Sequence, residues 1–280
     1  SRVDTGARAQ VYKSHNAKEA LLRNTTKKKL REGKAVVGAA VQLDHPSTTK
    51  IMAQAGFDFL VIDTQHSPFG PEAVYRLIDA LSPTDSEIIV RVLRNDIALI
   101  GHVLDFGADG VIMPLTNTVE DFERAVGATR YPPDGVRSWG PRKTERYGGN
   151  TEYAVRANEE ILAWPQIETI EAVNNLDTLL QVKGVDGIMV GPADLGLSIR
   201  RSSAEAIPSV DELIGRILDK CKEHGVPFGI FASSLEQAEE WLGRGGQMAT
   251  VGGDPGFLTQ GVAQTIGDAQ EMLSRVETNR

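Results

Sequence analysis

The sequence predicts an α/β fold, a (β/α)₈ TIM barrel, on three observations. Eight short apolar runs alternate with amphipathic stretches over roughly 220 residues, the order that a parallel barrel requires. Residues suited to acid–base, electrophilic and metal-binding chemistry fall where those runs end, and in a barrel those ends share one rim. The alternative is a doubly wound open sheet, but no Gly-x-Gly-x-x-Gly opens the first strand-to-helix turn.

Residues 1–34 read as an N-terminal helical extension. Its helix is expected from about Asn16 to Glu32, with Lys27-Lys28-Lys29-Leu30-Arg31 as a solvated face. Residues 35–280 read as one barrel domain. Strands are expected at Ala35–Leu43, Phe57–Ile62, Glu87–Leu93, Gly110–Leu115, Ile161–Ile167, Gly187–Val190, Pro227–Ala232 and Met248–Val251. Apolar residues at three- and four-residue intervals mark helices at Pro71–Leu81, Ile97–Phe106, Val119–Thr129, Thr169–Val182, Val210–His224 and Leu235–Gly243. An additional amphipathic helix, Val262–Val276, is more than barrel closure needs and points to a homo-oligomer.

The stretch from Trp164 to Ser198, with the apolar run that leads into it from Ile161, organises the rest. Its two apolar runs flank a helical pattern, so it reads as one strand–helix–strand unit, and the strands end at Glu168 and Asp194. A right-handed crossover places both ends at the same edge, so the two carboxylates face a common gap. Two carboxylates on rigid strands suit a hard divalent cation that the protein coordinates only in part. Backbone N–H groups at Ala193 and Asp194 could hold a substrate carboxylate.

Other rim positions add to this pair. The second strand leads into Asp63-Thr64-Gln65-His66, and Asp63 is spaced to orient the His66 imidazole. Arg91, near the end of the third strand, suits an oxyanion beside a cation. His45 follows the first strand. Each also has a structural reading: a loop histidine, an ion-pair partner, two helix-capping acids. Convergence on one rim favours function. Glu171 and Asp186 read as solvated or turn residues, and His15, His102 and His224 as surface helix positions. No lysine stands at a strand end, which disfavours a Schiff base.

Composition limits the partners. A net charge of −8 without a basic stripe excludes nucleic acid as the main partner. No apolar run approaches the roughly 20 residues of a membrane span. The lone Cys221 cannot form an internal disulfide and fits a reducing, cytoplasmic setting.

The string Ala55-Gly56-Phe57-Asp58-Phe59-Leu60-Val61-Ile62-Asp63, with His66 after it, resembles the second strand of the class II, metal-dependent pyruvate aldolases. That family includes 4-hydroxy-2-oxoheptanedioate aldolase and is a superfamily relative of the citrate lyase beta subunit. The likeness recurs at Met113-Pro114, from Ala128 to Arg137, at Gln166-Ile167-Glu168-Thr169, at Val185-Asp186-Gly187 and at Gly191-Pro192-Ala193-Asp194-Leu195. The resemblance implies that Glu168 and Asp194 bind Mg²⁺ (or Mn²⁺ or Co²⁺) and that His66 with Asp63 serves acid–base chemistry through water. It further implies that Arg91 holds the oxyanion, that Gln166 lines the site, and that a hexamer forms. The small-molecule partners would be a 2-oxo acid and an electrophilic acceptor.

The chain departs from that family in ways that bear on the acceptor. Ala40 stands where the bacterial aldolases carry a tryptophan, and Gln65 stands where an acid is usual. Ser138-Trp139-Gly140-Pro141 and the loop to Asn150 replace small residues. An aromatic wall of Trp139, with Pro141, Tyr147 and Tyr153, would suit stacking against a flat 2-pyrone. A fungal member of the family decarboxylates oxaloacetate and adds the enolate to such a pyrone. The expected function is therefore a Mg²⁺-dependent lyase that forms a pyruvate enolate by oxaloacetate decarboxylation and adds it to an electrophile. A plain aldolase of 4-hydroxy-2-oxo diacids is the alternative. A CoA-ester lyase lacks a basic patch for the nucleotide, and a non-catalytic oligomeric scaffold would leave the rim residues unexplained.

Overall fold

The computed structural model describes residues 24–147, 149–201 and 208–279, save for the side chains of Arg146 and Tyr147. His15 and the predicted helical segment before Asn24 lie outside the described residues. The strands are β1 (Val36–Val41), β2 (Phe59–Asp63), β3 (Glu87–Arg91), β4 (Gly110–Met113), β5 (Leu162–Ile167), β6 (Ile188–Val190), β7 (Phe228–Phe231) and β8 (Met248–Gly253). Each runs parallel to its neighbours, and β8 returns to β1, which closes an eight-stranded barrel.

The helices are α1 (Thr25–Arg31), α2 (Pro46–Gln54), α3 (Pro71–Leu81), α4 (Ile97–Phe106), α5 (Val119–Thr129), α6 (Tyr153–Glu160), α7 (Ile170–Asn174), α8 (Leu176–Leu179), α9 (Pro192–Arg201), α10 (Val210–His224), α11 (Leu235–Gly243) and α12 (Asp254–Thr278). The predicted bounds of α3, α4, α5, α10 and α11 hold to the residue. Their ends are chemically marked: Asp96 caps α4, and Thr118–Asp121 and Ser209–Glu212 form capping boxes. Gly107 and Gly225 close α4 and α10 in the left-handed conformation. The single helix expected over Thr169–Val182 divides at Asn175, whose exposed side chain donates to the Asn117 carbonyl at 2.9 Å.

Inside the barrel, Phe59, Ile89, Ile112, Trp164, Met189 and Met248 fill the lower half. Phe59 and Trp164 meet edge to face at 5.5 Å. Gly38 leaves the space for this ring, because a Cβ there would overlap Phe59. The floor is therefore packed, and chemistry is confined to the C-terminal mouth.

The structure corrects the reading of the lysine run. Helix α1 closes the N-terminal end of the barrel, with Leu30 packed into the interior cluster. Lys27 is buried at 3% exposure, donates to the Ile161 carbonyl at 3.1 Å and pairs with Asp186 at 2.8 Å. Burial, opposed by the Asp186 charge, pulls its ammonium down to about 8. Asp186 is likewise not a solvated turn residue: it also binds Arg130 at 2.7 Å and accepts from the Ala163 N–H. Removing one partner of a buried ion cluster leaves uncompensated charge. Asp186→Ala is thus expected to cost about 3–5 kcal/mol in urea unfolding. A loss under about 1 kcal/mol would mean that water solvates the cluster.

Candidate active site

The register of the sheet builds the site. Asp63 and Arg91 are the last residues of β2 and β3 and are directly paired across them. Their side chains form a two-point bridge, Arg91 Nε to Asp63 Oδ1 at 2.8 Å and Nη2 to Oδ2 at 2.6 Å. Phe231 packs under the guanidinium, with Cζ 4.7 Å from the ring centre. Among the described residues Nη1 has no protein acceptor, so the carboxylate fixes Arg91 while one face stays open to a ligand.

One step beyond β5 lies Glu168, 1% exposed. Its Oε1 accepts the Leu115 N–H at 2.7 Å, and its Oε2 accepts from Gln166 Nε2. Leu115 has φ 54, a left-handed conformation that a leucine adopts only under constraint, and that turn aims its N–H at the carboxylate. Burial, and then the nearby Asp194 charge, pushes Glu168 up to about 7, against the Leu115 N–H, Arg91 and Gln166. Asp194 sits in the first turn of α9, where Pro192 has no N–H and Leu195 N–H bonds to Gly191. The N–H groups of Ala193 and Asp194 thus have no protein acceptor among the described residues and face the mouth.

Gly191 makes this packing possible. A Cβ there would lie 2.8 Å from both Gln166 Nε2 and Glu168 Oε2. Gly191→Ala is expected to displace both groups and lower kcat/KM about 100-fold with the fold retained by circular dichroism. Unchanged turnover would show that the two groups tolerate displacement.

The donor set fits a divalent cation. Glu168 is a buried carboxylate whose ionised form is disfavoured by burial, and Asp194 adds a second negative charge beside it. Among the described residues the buried Gln166 Oε1 has no hydrogen-bond partner, an orphaned oxygen that a ligand in the mouth would satisfy. All are oxygen donors, as a hard cation prefers.

Ala40, Asp63, His66, Arg91, Gln166, Ala193 and Asp194 line one cavity of about 700 Å³ at the C-terminal mouth. His66 is exposed at its rim. The structure corrects its expected partner: Asp63 is occupied by Arg91 and meets His66 only at the backbone N–H, 3.4 Å away. Among the described residues nothing hydrogen-bonds the imidazole. His45 instead caps α2, where its Nδ1 accepts from Ser47 N–H. Cys221 is buried, and burial pushes its thiol up to about 12, so it is not a nucleophile.

Within one chain the residues of the expected aromatic wall lie elsewhere. Trp139, Pro141 and Tyr153 lie in the connection from α5 to β5, and every helix-to-strand connection returns to the N-terminal end of a barrel. Tyr153 is 2% exposed and packs at 6.1 and 6.0 Å against Tyr131 and Trp139. Arg137 stacks on Tyr131 and binds Asp105 at the far end of α4. Within one chain these residues face away from the Glu168–Asp194 mouth. The Tyr147 side chain lies outside the described residues.

The profile of the HpcH/HpaI aldolase/citrate lyase family matches residues 38–260. A 2-keto-3-deoxy-L-rhamnonate aldolase of Salmonella gallinarum is 33% identical over 243 residues, covering 86% of this chain and 91% of the relative. A solved HpcH/HpaI aldolase/citrate lyase family protein of Burkholderia cenocepacia superposes with a TM-score of 0.81 at 29% identity, over 88% of this chain and 99% of that one. Macrophomate synthase superposes with a TM-score of 0.78 at 26% identity, over 91% of each chain. The barrel, the carboxylate pair and these matches agree: the chain is a carbon–carbon lyase of the HpcH/HpaI aldolase/citrate lyase family.

Proposed function

We propose that the protein is a metal-dependent lyase that makes and breaks the bond between C3 of a pyruvate enolate and a carbonyl acceptor, with oxaloacetate decarboxylation as a second route to the same enolate. The observation that carries this reading is the Glu168–Asp194 pair beside the orphaned Gln166 Oε1, with Arg91 across the same mouth. A divalent cation such as Mg²⁺ (or Mn²⁺ or Co²⁺) held by Glu168 and Asp194 would supply Lewis-acid polarisation of a 2-oxo acid's keto group. Arg91, held rigid by Asp63, offers Nη1 to the developing oxyanion without reorganisation. The free N–H groups of Ala193 and Asp194 bind the substrate carboxylate at the positive end of α9. In cleavage His66 takes the proton of the C4 hydroxyl as the C3–C4 bond breaks and its electron pair moves to C3. Decarboxylation leaves the same pair on C3 as carbon dioxide departs, and no base is required.

A 2-pyrone acceptor is the second reading. Ala40 favours it, because its small side chain opens the mouth on the β1 side. Trp139 of the same chain lies at the other end of the barrel and adds nothing to this cavity. An oligomer is also proposed: α12 leaves Leu258, Val262, Ile266, Met272 and Leu273 exposed along its length, an apolar face suited to another subunit. Among the described residues no helix is long and apolar enough to cross a membrane.

The test is pyruvate release from 4-hydroxy-2-oxo acids by protein first treated with borohydride in the presence of pyruvate and then freed of the reductant. Turnover that survives the treatment supports the reading, since among the described residues no lysine lines the cavity to form an imine. Irreversible inactivation would contradict it.

A further inference from the structure

We propose that Leu115, Asn117 and Ser198, none of which lines the cavity, are positioning residues: together they fix Glu168 against Asp194 and so set the affinity of the site for a divalent cation. This rests on the metal-dependent reading above and names the residues that hold its carboxylates in place.

Leu115 carries the first sign. Among the described residues it is the one non-glycine with positive φ, at φ 54. Leucine is disfavoured there, because its Cβ crowds the following carbonyl. Its side chain is 56% exposed, so burial of the leucine does not dictate this backbone. What the conformation secures is the N–H, which reaches Glu168 Oε1 at 2.7 Å. Gln166 Nε2 donates to the other oxygen, so the carboxylate is held at both ends.

The turn keeps its shape because its neighbours are tied to both sides of Glu168. Backbone pairing of β4 with β5 ends at Met113 and Pro165, and side chains take over beyond it. Thr116 is fully buried and donates through Oγ1 to the Gln166 carbonyl at 2.9 Å. Asn117 Oδ1 accepts the Thr169 hydroxyl at 2.6 Å, and its carbonyl accepts from Asn175. Gln166 and Thr169 flank Glu168 in the chain. A strained backbone persists where its surroundings over-determine it, and these bonds do so here.

Ser198 extends the frame to the second carboxylate. It stands one turn after Asp194 on α9, and its Oγ accepts the Ile170 N–H at 3.0 Å. The segment that leaves Glu168 is thereby pinned to the helix that carries Asp194. Thr169 and Ile170 are consecutive, so one short stretch bonds to Asn117 on one side and to Ser198 on the other. Groups that orient metal-binding carboxylates from behind contribute to affinity without touching the ion.

The test is Mn²⁺ binding to the chelator-treated full chain, read from the paramagnetic resonance signal of the free ion. Positive φ is harder still for a β-branched residue, so Leu115→Ile strains the turn further, whereas Leu115→Gly removes the strain and keeps the N–H. Leu115→Ile and, independently, Asn117→Ala and Ser198→Ala are expected to weaken Mn²⁺ binding about tenfold or more. Leu115→Gly is expected to bind within about threefold of the parent. A merely structural role would lower the melting temperature and leave the dissociation constant of the folded variants unchanged. Unchanged affinity in folded Leu115→Ile, Asn117→Ala or Ser198→Ala overturns the inference. So does a loss in Leu115→Gly equal to that in Leu115→Ile, which would give the role to the leucine side chain. A parent chain that binds no Mn²⁺ overturns the metal-dependent reading itself.

Discussion

Glu168→Gln is expected to lower turnover of both a 4-hydroxy-2-oxo acid and oxaloacetate about 1,000-fold or more, and the metal-free variant is expected to melt no lower than the parent. The two effects share a cause. Glu168 is buried at 1% exposure, and burial with the Asp194 charge disfavours its ionised form, so the metal-free fold carries the carboxylate at a cost. A glutamine keeps an oxygen for the Leu115 N–H and removes the charge. It equally removes the anion that a cation needs. Mg²⁺ should therefore raise the melting temperature of the parent but not of the variant. Asp194→Asn is expected to lose turnover in the same way. Full activity of a metal-stripped Glu168→Gln, Asp194→Asn double variant would refute the metal assignment.

His66→Ala is expected to separate the two reactions. Retro-aldol cleavage must remove a hydroxyl proton, and loss of the general base should lower its kcat by about 100- to 10,000-fold. Decarboxylation of oxaloacetate breaks its bond without a base and should fall by less than about tenfold. The geometry permits this role, since the imidazole lies exposed on the cavity rim with no protein partner among the described residues. Equal loss of both activities would instead give His66 a part in binding the 2-oxo acid.

Much of the barrel was legible because its ends are locally encoded. Capping boxes at Thr118 and Ser209 and the left-handed glycines at 107 and 225 set helix limits within a few residues of sequence. The short helices α2 and α6 went unread because few apolar positions mark them. The partners of charged side chains were less legible, because sheet register decides them. Proximity along the chain suggested that Asp63 serves His66, but pairing with β3 places the Arg91 guanidinium directly across from it. Lys27 looked like one more solvated lysine, and only closure of the barrel brings it to Asp186.

The Trp139 wall differs in kind. Its position between α5 and β5 assigns it to the N-terminal end of its own chain, a placement that connectivity, not residue type, encodes. Leu115 had no such signal, since its left-handed turn follows from the need to deliver an N–H to Glu168.

Pyruvate release from oxaloacetate, before and after chelation with EDTA and again after Mg²⁺ is restored, tests the central claim most directly. The account predicts release that chelation abolishes and Mg²⁺ recovers. Release that continues at full rate in metal-free protein would contradict it, as would a folded, Mg²⁺-loaded protein that releases no pyruvate.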